Sequence, residues 1–189
     1  EYAFLPEYSM EAFANSTISD GNTKEPLVSK AEPLFIPEKE NTYKELFVIS
    51  PIVIISLLSL LLLYKTYTDH KNERPLGFVD ALVLFCTGII GILLAFLWFG
   101  TEHTTTKWNY NLLWAFPFHI IASFAIRKVA PPRWIYPYMK LSVILLALLG
   151  FHWIIGVQQY AYALIPLFIA LAVRYMYMLK VIKKSRMTV

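Results

Sequence analysis

Between Trp98 and His119 the chain reads WFGTEHTTTKWNYNLLWAFPFH. Glu102 and His103 can exchange protons, Thr106 and its two threonine neighbours can donate and accept, and Asn109 and Asn111 each carry a donor and an acceptor. An ordinary turn between apolar segments would use Gly, Ser or Lys, so this concentration of hydrogen-bonding side chains asks for a use. His119, His152, Gln158 and Gln159 join the set if the helices bring them to the same end. Three uses compete. The amides and hydroxyls can cap a helix and bond its neighbours. His103, Asn109 and Asn111 can contact a lipid head group or assist an acid–base step in an adjoining domain. Glu102 with His103, His119 and His152 can bind a metal, but zinc needs three or four convergent ligands and no HxxxH or HExxH spacing is present. The expected metal is therefore none. No Ser or Cys nucleophile with a paired His is evident, and no motif implies a cofactor.

The elements that must position these residues are membrane helices. Of 189 residues 57% are hydrophobic and 16% charged, and the apolar ones are concentrated after residue 45 in blocks near the ~20 residues needed to cross a bilayer. The fold class this predicts is an all-α integral membrane protein, a bundle of about five transmembrane helices with an extended extracytoplasmic N-terminal tail. The tail is residues 1–44; the membrane domain is 45–189, with helices at 46–64, 78–99, 108–126, 136–157 and 161–181. Pro117 predicts a kink in the third helix. Gly88 and Gly91 give the second a small face for close packing. In the tail, Leu5 to Phe13 predicts a short helix, and residues 15–41 show no sustained period and read as a linker. A chain opening on Glu1, with no basic and apolar leader, predicts a processed product or a fragment of something longer.

Basic residues gather in three places: Lys65, Lys71 and Arg74; Arg127, Lys128 and Arg133; and Lys180, Lys183, Lys184 and Arg186. The positive-inside rule puts these in the cytoplasm and the tail outside, so the Trp98–His119 stretch lies at the outer face. The same loops account for the net charge of +4 and exclude nucleic acid as the expected partner. Asp80 and Arg174 read as structural, by pairing or snorkelling near the cytoplasmic helix ends. Asp69 and His70 read as a solvated loop and Cys86 as a packing residue. Trp98, Trp108, Trp134, Tyr136 and Tyr160 read as interfacial anchors.

The run FLWFGTEHTTTKWNYNLLWAFPFH, with Phe4 to Phe13 far upstream, resembles the C-terminal membrane part of a bacteroidete family whose members carry an Lnb-type N-terminal periplasmic domain. The family pattern, (D/E)H-x-x-T-x-x-N-x-N-L-L-W, is met by Glu102, His103, Thr106, Asn109, Asn111, Leu112, Leu113 and Trp114, with Glu102 standing where Asp is usual. The resemblance implies acyl transfer to the α-amino group of lipidated N-terminal cysteines, at the outer leaflet of the bacterial inner membrane. The nucleophile would sit in a periplasmic domain preceding this chain. It further implies that Glu102, His103, Thr106, Asn109 and Asn111 support the site, while Trp114, His119 and His152 are candidates to face lipid or position substrate. The implied partners are membrane lipids, the lipidated N-termini of lipoproteins and the N-terminal periplasmic domain. The alternative is a non-catalytic anchor or envelope-assembly partner.

Overall fold

The computed structural model describes residues 6–19, 21, 23–28, 50–102, 107–128 and 130–187. The chain forms two compact units, Glu1–Lys44 and Glu45–Val189. In the first, helix α1 spans Pro6–Ala14, with the proline in the opening turn, where its missing N–H costs least. Strands β1 (Thr17–Ser19) and β2 (Lys24–Pro26) pair antiparallel, Ile18 opposite Glu25. The 15–41 stretch is therefore not all linker. Gly21, at φ +82°, sits in the turn between the strands, a conformation open to glycine at little cost.

The second unit is the bundle. Helix α2 covers Pro51–Lys71, α3 Phe78–Phe99, α4 His119–Ile126, α5 Ile135–Ile154 and α6 Ile165–Met187, with single 3-10 turns at Tyr110–Leu113 and Tyr162–Leu164. Among the described residues, four helical stretches, Pro51–Lys71, Phe78–Phe99, Ile135–Ile154 and Tyr162–Met187, are long and apolar enough to cross a membrane. Leu57, Leu58, Leu60 and Leu61 of α2 are each more than half exposed. Such an apolar rim is untenable against water and suits a lipid surround. Inside, Leu84, Ala115, Ala122, Ile135, Met139, Leu171 and Met178 form a sealed core. Packing is chiefly α3 on α4, α2 on α6 and α5 on α6.

Three expected boundaries need correction, the last helix continuing past 181 to Met187. The first membrane helix does not stop at 64 but continues to Lys71, carrying Lys65 and Asp69 on helix rather than loop. The third segment is not one kinked helix over 108–126. It is a 3-10 turn, an irregular crossing at 114–118 and a helix of eight residues. Pro117 lacks the N–H that would continue a helix through the crossing, and its ring opposes the preceding turn. Irregular backbone at this depth is tolerable only when covered by protein. Here Trp114 and Ala115 are buried, and the crossing lies on the small face of α3. A Cβ on Gly91 would come 2.1 Å from the Ala115 carbonyl oxygen, and one on Gly88 would come 2.6 Å from the Ile120 nitrogen. Both glycines are required by backbone-to-backbone contact.

Gly91→Ala should therefore lower stability by about 1–3 kcal/mol through overpacking against main chain that cannot swing away. Gly150→Ala, on α5 with nothing within 4 Å of the new atom, should be neutral or stabilising by up to about 1 kcal/mol. Thermal unfolding in detergent checks both, and equal melting of the two variants would contradict the packing argument.

Candidate functional site

One end of the bundle carries the 72–77 connector, the 127–134 connector and the end of α6; at the opposite end lie Trp98, Asn109, Asn111 and Gln158. There the Asn109 side-chain oxygen accepts from the Asn111 backbone N–H at 3.1 Å and from its side-chain amide at 2.8 Å. The Asn111 oxygen in turn accepts from the Trp114 indole at 2.8 Å. Asn109 thus caps the 3-10 turn, and Asn111 ties that turn to a buried tryptophan. From across the bundle, Gln158 accepts from the Tyr110 N–H at 2.7 Å. Tyr110 stands edge-on to His152, ring centroids 5.0 Å apart, and Trp98 packs on Trp108 and Tyr110. Trp108 holds φ +61°, a left-handed strain for a bulky residue. The result is a shelf of amides and rings built from the end of α3, the 3-10 turn and the end of α5.

Two polar atoms on this shelf are buried and unpartnered among the described residues: His152 Nδ1 and the Tyr160 hydroxyl. Tyr160, expected as an interfacial anchor, is instead buried among Trp153 and Phe168. Burial pushes its hydroxyl pKa upward, with Tyr110 adding to the shift. Glu102 is exposed, and His103 and Thr106 lie outside the described residues.

His119 does not join the shelf. It is sealed in the core, 1% exposed, with Nδ1 2.8 Å from the Phe116 carbonyl and Nε2 3.1 Å from the Tyr175 hydroxyl. A carbonyl can only accept, so Nδ1 carries the proton and Nε2 accepts from Tyr175. Trp114 is buried as well, at 6% exposed. The lipid-facing expectation therefore fails for Trp114 and His119, whose polar atoms are consumed inside the protein. His119 and His152 stand in separate aromatic settings, and the described residues contain no group of three metal-ligating side chains. Cys86, expected to pack inside, is exposed on the outer surface of α3.

The second polar centre lies toward the basic end, where α2, α3 and α6 meet around Arg174. Its Nε donates to Asp80 Oδ1 at 2.8 Å, and its Nη1 donates to Asp69 Oδ2 at 3.0 Å and to the Thr66 hydroxyl at 3.3 Å. Asp80 Oδ2 accepts from the Gly77 N–H at 2.7 Å, capping α3, while Asp69 also takes the Lys65 ammonium one turn earlier. Arg174, Asp69 and Asp80 are each at most 3% exposed. The pairing of Asp80 with Arg174 was one of two options read from sequence; the burial of Asp69 was not, because it was placed in a solvated loop. The available signal was the Lys65–Asp69 spacing of four, which puts both on one helix face.

An apolar bundle with internally satisfied charges and a buried irregular segment is a polytopic helical membrane protein. Within that class, the family model of the Lnb transmembrane domain matches residues 42–186. The chain belongs to that family. No curated protein and no solved structure matches it.

Tyr175→Phe keeps the ring and removes the hydroxyl that donates to His119 Nε2, leaving a buried acceptor unmet. The expected loss is about 1–3 kcal/mol, read as a lower unfolding midpoint in detergent. A midpoint equal to the parent protein's would show that the His119–Tyr175 bond adds nothing.

Proposed function

We propose that this domain is the membrane half of a lipoprotein N-acyltransferase-like protein of the bacterial inner membrane. It anchors a periplasmic acyl-transfer domain and presents lipid substrate to it at the outer face. The observation that carries this reading is the amide-and-aromatic shelf at the end opposite the basic loops, in a chain of the Lnb transmembrane family. The positive-inside rule makes that end periplasmic and the C-terminus cytoplasmic. Trp98, Trp108 and Tyr110 suit the head-group level, where amphipathic rings are favoured. The Asn109–Asn111–Trp114 chain and the Gln158 bond hold the shelf rigid, which is what presenting a substrate to a second domain requires. On this reading Glu102, His103 and Thr106 keep the supporting role that the family pattern implies for them, and His152 Nδ1 is a polar atom without a partner among the described residues.

A second reading has its own support. Asn109 and Asn111 spend their hydrogen bonds locally, as a pure anchor would. The two separate on one experiment. His103→Ala, Asn109→Ala and Gln158→Ala are introduced into the full-length protein in cells, and lipoprotein N-terminal acylation is read by mass spectrometry. Presentation predicts a fall of about tenfold or more, the equivalent of ~1.4 kcal/mol in the barrier, at unchanged protein level. Full acylation in all three variants would leave only the anchor.

A further inference from the structure

We infer that the basic end carries a binding site for the phosphate of an anionic phospholipid, in the cavity between the last turn of α2, the 72–77 connector and the last turns of α6. The cavity measures about 270 Å³ and is lined by His70, Glu73, Arg74, Tyr177, Lys180 and Lys184, with Pro75 and Val181 among its apolar walls. Three cations from two separate stretches of chain converge on it, against one carboxylate. That carboxylate is already engaged: Glu73 accepts from Lys184 at 2.7 Å. Lys180 points its ammonium at a ring nitrogen, His70 Nε2, at 3.1 Å rather than at an acid. The Arg74 guanidinium has no hydrogen-bond or ion-pair partner among the described residues. Its backbone, by contrast, is fixed from both sides: its N–H donates to the Asp69 carbonyl at 2.9 Å and its carbonyl accepts from the Tyr177 hydroxyl. A planar guanidinium on an anchored backbone, beside two ammonium groups, matches a phosphate better than it matches water.

The position selects a lipid over a soluble phosphate. The cavity adjoins the ends of two membrane-spanning helices, the level at which a phospholipid head group lies. Its apolar walls suit glycerol and the first methylenes. Tyr177 is also the partition between this cavity and the buried charges, since the Arg174 guanidinium lies 5.0 Å from its ring centroid. A bound phosphate would therefore brace α2 against α6 next to the Arg174 network.

The test uses the full chain, purified and placed in nanodiscs of phosphatidylcholine alone or with added phosphatidylglycerol, with inorganic phosphate as a separate arm. The inference predicts that phosphatidylglycerol raises the unfolding midpoint and that native mass spectrometry retains the lipid. Arg74→Gln and Lys180→Gln should each weaken retention about fivefold, and together roughly 30-fold. Arg127→Gln with Lys128→Gln, which removes the same charge from the other basic connector, should leave retention unchanged. An equal loss in both pairs would mean a diffuse surface potential and overturn the site. Stabilisation by inorganic phosphate without lipid retention would overturn the lipid as occupant. No difference between the two nanodisc compositions would overturn both.

Discussion

The bundle depends on a constraint imposed by hydrocarbon: a guanidinium on a membrane helix must find its counter-charges inside the protein. Arg174 projects from α6, and the two helices that answer it are α2 and α3. Asp69 and Asp80 neutralise it, the Thr66 hydroxyl accepts a further hydrogen bond, and Lys65 balances the second carboxylate. With two cations and two anions, the cluster is neutral as a whole. Buried pairs often contribute little net stability compared with apolar packing, but losing one partner is severe because the other charge is stranded. The cluster therefore fixes which helices meet and in what register, more than it adds to stability.

Away from that cluster the architecture is governed by backbone satisfaction. The third segment leaves the helical path between Trp114 and Phe118 and is tolerated because α3 offers Gly88 and Gly91 as a bare track. That close approach lets His119 reach Tyr175 and sets the 3-10 turn beside Gln158. The two ends of the bundle consequently differ in kind. One is a rigid shelf of amides and aromatic rings. The other is a set of cations around an open cavity, with a charge cluster beneath it.

Much of this was legible in the chain. The apolar run from Phe78 to Phe99, interrupted by Asp80 and Thr87, coincides with its helix at both ends. Pro117 signalled trouble in the third segment, but the depth of the break depends on glycines on another helix. Local sequence does not show that two backbones will touch. The burial of Asp69 is hidden for a similar reason. In KTYTDHKNER it looks like part of a polar loop, and the arginine that draws it inward lies 105 residues away. The shelf was visible as a concentration of amides. That Trp114 and His119 turn inward from it followed from partners, Asn111 and Tyr175, whose geometry the helical reading of 108–126 would not have produced.

If Arg174 holds α2, α3 and α6 together through specific partners, its coupling to Asp80 is measurable. A double-mutant cycle with Arg174→Met and Asp80→Asn, read as unfolding free energy in detergent or bilayer, tests this most directly. Each single change should cost about 3–5 kcal/mol by stranding a buried charge. The double variant should cost less than the sum, with a coupling of about 1.5 kcal/mol or more. Additive losses would contradict the account, because they would mean that the two side chains are buried near one another without depending on each other.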